Sequence, residues 1–254
     1  MNLLAFDTGT EMMSIAVSRT VDRQVQLWQH TASGGAKAST DLIPAILALV
    51  QQAGLRLDVL DAICFGSGPG SFTGLRTACS VAQGLAFGAN VPVLAVDSLL
   101  AVAEEARYQA LDKQASCIVT ALLDARMDEM YGATYRFDAC QWTELASSSL
   151  VKPEELGRVA SVPPEPAMPW VMAGNVFAVY GERVALHDPA AETALRITAL
   201  PTATAMLRLA PQLLAAGKAV SAEHALPSYI RDKVAKTTAE RMAEKAAALA
   251  TTSP

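Results

Sequence analysis

Residues 66–76 read GSGPGSFTGLR, from Gly66 to Arg76, and join an apolar run at 61–67 to a helically spaced segment at 73–89. A buried strand that empties through a Gly/Pro turn into a helix is the connection of an α/β protein with parallel strands. Pro69 fixes φ, Gly68 and Gly70 admit backbone angles closed to other residues, and Ser71 or Thr73 can cap the helix. No Gly-Lys-Ser/Thr follows, so this is not a Walker A loop, and the glycine spacing misses the dinucleotide fingerprint. Two readings stay open: a rigid strand-to-helix connection, and an anion site at the helix N-terminus drawing on Gly68 and Gly70.

Upstream, residues 2–7, 13–20 and 23–31 predict three strands in a meander, the last two turning near Val21-Asp22. A small-residue loop at 32–38 leads to a helix over 41–54, with its N-cap near Asp41, Pro44 in its first turn and Gly54 at its end. Downstream, a strand at 91–96 and a helix at 98–110 complete a β-β-β-α-β-α-β-α unit. A weaker second pass has strands at 116–124, 130–137, 142–150 and 170–173, a short helix at 153–159, a helical turn at 175–180 and a helix at 202–216. Residues 162–169 form a Pro-rich surface loop. The expectation is a duplicated α/β fold, with one subdomain over 1–110 and a smaller one over 111–220. In the tail, 221–254, Ala235, Ala239, Met242, Ala246 and Leu249 read either as a weak apolar stripe on a terminal helix or as a frayed, Ala-rich end that helix propensity alone keeps partly wound.

The 254 residues are 52% hydrophobic and only 18% charged, which excludes an intrinsically disordered chain. No apolar run approaches the roughly 18 residues a bilayer span requires, so no membrane association is expected. Twenty basic against 25 acidic residues, a net charge of −5, argue against a strong grip on a polyanion by this chain alone. Cys64, Cys79, Cys117 and Cys140 form no Cys-x-x-Cys pair, and three lie in apolar segments; with no basic region opening the chain, reduced thiols and a cytoplasmic location follow. His30, His187 and His224 are isolated, so no metal site is expected.

Asp7-Thr8-Gly9-Thr10 follows the first strand and reads either as a plain turn or as a phosphate hairpin, with Gly9 admitting the ligand and Asp7 holding a metal through water. Asp124-Ala125-Arg126-Met127-Asp128-Glu129 reads as a hairpin turn closed by an ion pair in preference to an acid/base pair. Gly74, Ala78, Ala82 and Ala86 recur every four residues and leave one helix face almost bare. The helix before it is apolar nearly all round (LIPAILALV, 42–50), so one side packs on its sheet and the other needs a cover. The cover is either another part of the same chain or a partner subunit; the partner is the favoured reading, with its interface over Leu42, Ile46, Leu49, Val50, Gly74, Thr77, Ala78, Val81 and Ala82.

The run GPGSFTGLR (Gly68–Arg76, with Ser71, Phe72, Thr73 and Arg76), Asp7-Thr8, Asp124-Ala125-Arg126 with Tyr131, and Pro227-Ser228-Tyr229-Ile230-Arg231 resemble the TsaB (YeaZ) family. The match is strongest over about the first 135 residues and resumes near Tyr229. The resemblance implies an actin-like ASKHA (RNase H-like) fold and a role in making N6-threonylcarbamoyladenosine (t6A) in tRNAs that read codons starting with A. It implies a non-catalytic subunit that pairs with a TsaD-like paralogue, the metal-bearing transferase, through the helices at 41–54 and 73–89. It further implies a TsaE-like ATPase as partner, self-association as a homodimer, tRNA contact only through the complex, and ATP or ADP at the partner interface with no intrinsic cofactor.

The catalytic paralogues carry Asn-His-x-Glu-Gly-His where this chain reads Asp97-Ser98-Leu99-Leu100-Ala101, with neither imidazole, so no peptidase or transferase chemistry is expected here. Two positions depart from the family pattern: Gly9 replaces a usual Ser, which leaves nucleotide binding at the hairpin open, and Ala38 stands near where relatives often place a His. The competing reading is an independent actin-like ATP-dependent phosphotransferase that uses Asp7 and Gly9 at the phosphates.

Overall fold

The computed structural model describes residues 1–160, 168–187 and 194–231. β1 (Asn2–Asp7) pairs antiparallel with β2 (Met12–Val21), which pairs antiparallel with β3 (Gln24–Ser33). On its other edge β1 runs parallel to β4 (Ala62–Gly68), and β4 to β5 (Val93–Asp97), giving the order β3-β2-β1-β4-β5. The second half repeats this plan. β6 (Cys117–Arg126), β7 (Glu129–Asp138) and β8 (Gln141–Val151) form the antiparallel meander. β9 (Trp170–Gly174) and β10 (Leu195–Thr198) add in parallel beyond β6, so the order is β8-β7-β6-β9-β10. Identical strand order and direction in the two halves establish the duplicated actin-like plan.

The helices are α1 (Ala38–Gln52), α2 (Phe72–Ala89), α3 (Ser98–Ala110), the single turn α4 (Gly157–Ala160), α5 (Phe177–His187) and α6 (Ala203–Ala215). Both faces of the first sheet are covered, which is why β1 and β4 read as nearly unbroken apolar runs. Leu4, Phe6 and Phe65 point to a core shared with α1 and α2, while Leu3, Ala5 and Cys64 point to one shared with α6, the period of two that a strand imposes. In the second sheet Val119, Ala121 and Leu123 pack with α3, and Leu122 and Met130 with α4 and α5. Helices α3 and α6 thus form a shared middle layer, touching each other and the sheets on either side. Each packs chiefly on the sheet of the other half of the chain.

That layer is fastened by polar groups. Glu104, 3% exposed, accepts Arg107 Nε and Nη2 at 2.9 Å, Arg208 Nε at 2.9 Å and Trp142 Nε1 at 3.1 Å. Burying a carboxylate is tolerable only with such complete pairing. Asp97 caps α3 through Leu100 N at 2.8 Å and accepts the Tyr135 hydroxyl at 3.1 Å, linking the first sheet to the second.

Several local expectations are corrected. A 3-10 turn at Gly35–Lys37 already winds the chain, so α1 starts at Ala38 with Lys37 as its N-cap; Asp41 lies inside the helix and Pro44 beyond its first turn, on the exposed side. Ser71 stands at the N-cap of α2, but neither it nor Thr73 closes the helix with a side chain; Ser71 N donates to Gly9 O at 2.7 Å instead. The sequence pattern misses β10, a four-residue strand. The terminal helix stripe from Ala235 and most of the loop at 162–169 lie outside the described residues.

Candidate functional site

The β1–β2 hairpin and the start of α2 are pressed together. A Cβ on Gly74 would meet Thr8 O at 1.9 Å and one on Gly70 would meet Gly9 O at 2.7 Å. The Thr8 hydroxyl donates to Gly74 O at 2.7 Å. These glycines serve the close approach of two backbone segments. Asp7 and Thr8 are buried, 0% and 1% exposed. Asp7 accepts Gly9 N at 2.8 Å and the Ser98 hydroxyl at 3.4 Å, and its burial pushes the carboxyl up to about 7. Asp7 is turned into the protein and is not among the residues lining the open space beside the hairpin. Gly9 and Gly70 alone of that set reach open space beside Pro69.

That space is a cleft of about 600 Å³ between the two sheets. One wall is Gly9–Glu11, Gly34, Gly35 and the α2 start; the other is Leu123–Met127, Tyr131 and Asn175, with Ser228–Arg231 across it. The hairpin at Asp124–Glu129 is the ion-paired turn the sequence predicts. Asp124 accepts Arg126 N at 2.8 Å and the Tyr180 hydroxyl at 3.1 Å, and pairs with the Arg126 guanidinium at 3.4 Å. Arg126, Met127 and Asp128 all hold positive φ, 59°, 55° and 64°, which is costly for residues with a Cβ. Asn175 ties the cleft walls, accepting Asp124 N at 2.9 Å and donating to Glu11 at 3.3 Å; no local pattern marked either residue. Among the described residues no group of His, Cys, Asp or Glu could hold a metal ion.

The motif residues distant in sequence converge. Arg76 Nε donates to the Tyr229 hydroxyl at 3.1 Å and its guanidinium stacks on Phe72 at 3.7 Å; Phe72 in turn packs on Tyr229 with centroids 5.1 Å apart. Arg231 pairs with Glu129 at 2.5 Å, at the far end of the Asp124–Arg126 turn.

Most of the residues expected at a partner interface are buried within the chain. Leu42, Ile46, Leu49, Val50, Ala78 and Ala82 are buried in the first sheet's core, so the bare face of α2 is turned inward, where small residues let the helix sit close to its sheet. Gly74 belongs to the hairpin contact, while Thr77 and Val81 are half-buried. The outer faces of the same two helices are open instead. Ile43 and Leu47 are 43% and 46% exposed on α1. On α2, Ser80, Gly84 and Gly88 recur every four residues on the surface beside the 79% exposed Phe87, and a Cβ on either glycine would meet nothing within 4 Å. Sequence periodicity found both helices but not which stripe faces out, because both stripes are apolar or small.

A family model described as TsaD, tRNA N6-adenosine threonylcarbamoyltransferase, matches residues 26–239. The tRNA threonylcarbamoyladenosine biosynthesis protein TsaB of Escherichia coli (strain K12) is 34% identical over 245 residues, covering 92% of this chain and 96% of that protein. The protein of the same name from Haemophilus influenzae is 32% identical over 250 residues, covering 92% and 95%. The solved structure of YeaZ from Pseudomonas aeruginosa superposes with a TM-score of 0.74 at 36% identity, over 90% of this chain and 99% of its own. With this likeness spanning both sheets, the cleft and the converging motifs, the chain belongs to the TsaB (YeaZ) family.

Proposed function

We propose that this chain is the non-catalytic scaffold subunit of the complex that makes t6A, activating a TsaD-like transferase that modifies the adenosine 3′ of the anticodon in tRNAs reading codons that start with A. The observation that carries this is the open outer face of α1 and α2. Exposed apolar side chains on α1, and exposed small residues on α2 that let another helix approach closely, are what a helix-to-helix partner contact needs. The start of α3 supports the non-catalytic half of the proposal. Where the resemblance places the transferase's imidazoles, Asp97 caps the helix and Leu99 and Ala101 are 0% exposed.

The same helices would serve a homodimer when the transferase is absent. A TsaE-like ATPase joins the assembly, tRNA is held through the complex, and the setting is the cytoplasm. ATP or ADP would bind at the partner interface. The phosphotransferase alternative places Asp7 and Gly9 at the phosphates; Gly9 lines the cleft, whereas Asp7 is buried beside it, which favours the scaffold reading. The test is reconstitution: the chain alone should modify no tRNA, and should restore modification by the transferase paralogue. Modification by the chain alone, or failure to associate, overturns the proposal.

A further inference from the structure

Residues 222–231 begin in one lobe and end in the other. Ala222 and Ala225 are buried in the core under α2, and Ala225 O accepts Gln83 Nε2 at 2.9 Å. Ser228 N then donates to Ser67 O at 2.7 Å, and Ser228 O lies only 2.5 Å from where a Cβ on Gly68 would stand. Gly68 also has φ +118°, so this backbone-on-backbone seat admits glycine alone. Tyr229 rests on Phe72, and Ile230 packs against the core of the second sheet. Arg231 pairs with Glu129 at 2.5 Å and also donates to Arg126 O at 3.4 Å and to Met127 Sδ at 3.3 Å. The segment therefore spans the mouth of the cleft.

The two ends of this span are held in different ways. At the first lobe it is seated by buried alanines and main-chain hydrogen bonds. At the second it is held by side chains only, Ile230 against the core and Arg231 on Glu129, Arg126 O and Met127 Sδ, the ion-paired side chains being 13% and 30% exposed. Arg231 grips a turn whose three successive left-handed residues do not hold that shape by preference. Of the other interlobe fastenings, those at Glu104 and at Asp97–Tyr135 involve the middle helix layer, away from the cleft lining, and the Asn175–Glu11 contact at 3.3 Å is an exposed hydrogen bond inside the cleft.

We infer that residues 226–231 are a latch across the cleft, with Arg231 and Glu129 as its catch, whose release lets the two sheets part at the mouth while the middle layer keeps them joined. The inference does not depend on the assembly role. It also links the cleft to the docking helix, since Tyr229 leans on the first turn of α2 through Phe72 and Arg76.

The test uses the full chain carrying Cys140→Ser, with spin labels introduced by Lys37→Cys and Glu182→Cys on exposed sites of the two lobes. The parent should give one narrow distance distribution. Arg231→Met should broaden it toward longer distances, and Glu129→Gln should give an intermediate result. Hydrogen exchange on the unlabelled chain should speed up about five-fold in residues 67–72 and 126–131, with the β2–β3 hairpin unchanged, as local opening requires. A distribution unaltered by Arg231→Met overturns the inference. So does faster exchange throughout the chain, which would make the pair an ordinary stability element.

Discussion

The Asp7 carboxylate occupies the space a side chain at residue 66 would need: a Cβ on Gly66 would lie 1.8 Å from Asp7 Oδ2. The glycine opening the GSGPGSFTGLR run is thus required by an aspartate on the neighbouring strand. Gly66→Ala should destabilise the chain by about 2 kcal/mol or more, since neither β4 nor the buried carboxyl has room to yield. Urea denaturation measures this, and a midpoint equal to the parent's would contradict the packing described.

Asp7 also predicts a pH dependence of stability. Its folded-state carboxyl titrates near 7 against 3.8 for an ordinary aspartate, because burial disfavours the charge. The folded chain therefore binds that proton more tightly. Its contribution is fully present below about 3.8 and is lost as pH rises to about 7. Asp97 is raised by burial too, so the informative quantity is the difference between the parent and Asp7→Asn. The variant should be the less pH-sensitive of the two and should gain about 2–4 kcal/mol relative to the parent between pH 4 and pH 8, by the usual conversion of pKa shift to free energy. Parallel stability curves would show that Asp7 is not held protonated.

The open faces of α1 and α2 separate docking from folding. Leu47→Asp and Gly84→Arg, both on open faces, should each weaken association with the transferase paralogue about ten-fold or more while leaving the melting temperature nearly unchanged. Ala78→Asp should instead unfold the chain, because it puts an unpaired charge into a site with 0% exposure. Titration calorimetry and thermal melts distinguish the two. A folded Ala78→Asp chain that fails to associate would return the interface to the inner stripe.

Much of this fold is legible in the sequence where one rule dominates. Asn2–Asp7 and Ala62–Gly68 read as strands because both faces are covered, and Ser98–Ala110 is bounded by an aspartate cap. What escaped was set by distant partners. The outward stripe of α2 is decided by which small residues meet the sheet, and Gly74, Ala78, Ser80, Gly84 and Gly88 look alike in one dimension. The hairpin at Asp7–Gly9 has the composition of a phosphate loop, yet Gly9 N donates to Asp7 Oδ1 and the hairpin backbone is pressed against the start of α2. Lys37, not Asp41, begins the first helix because the preceding turn was already wound. The convergence of Arg76 with Tyr229 and of Arg231 with Glu129, over separations of 153 and 102 residues, has no local signature.

The middle layer predicts where the two halves are joined most firmly. Glu104→Ala leaves Arg107, Arg208 and Trp142 Nε1 without their shared acceptor in a nearly closed site. A loss of about 3 kcal/mol is expected, from the cost of stranding buried charge. A change below about 1 kcal/mol in urea denaturation would mean that apolar packing alone unites the lobes.

The central claim is that this polypeptide assists a transferase and performs no transfer itself. Its most direct measurement is t6A formation on a substrate tRNA with the paralogue alone, this chain alone, both together, and both with Leu47→Asp in this chain. Activity should appear only in the wild-type mixture and fall sharply with Leu47→Asp. Full activity of the paralogue alone, or any t6A formed by this chain alone, would contradict the account.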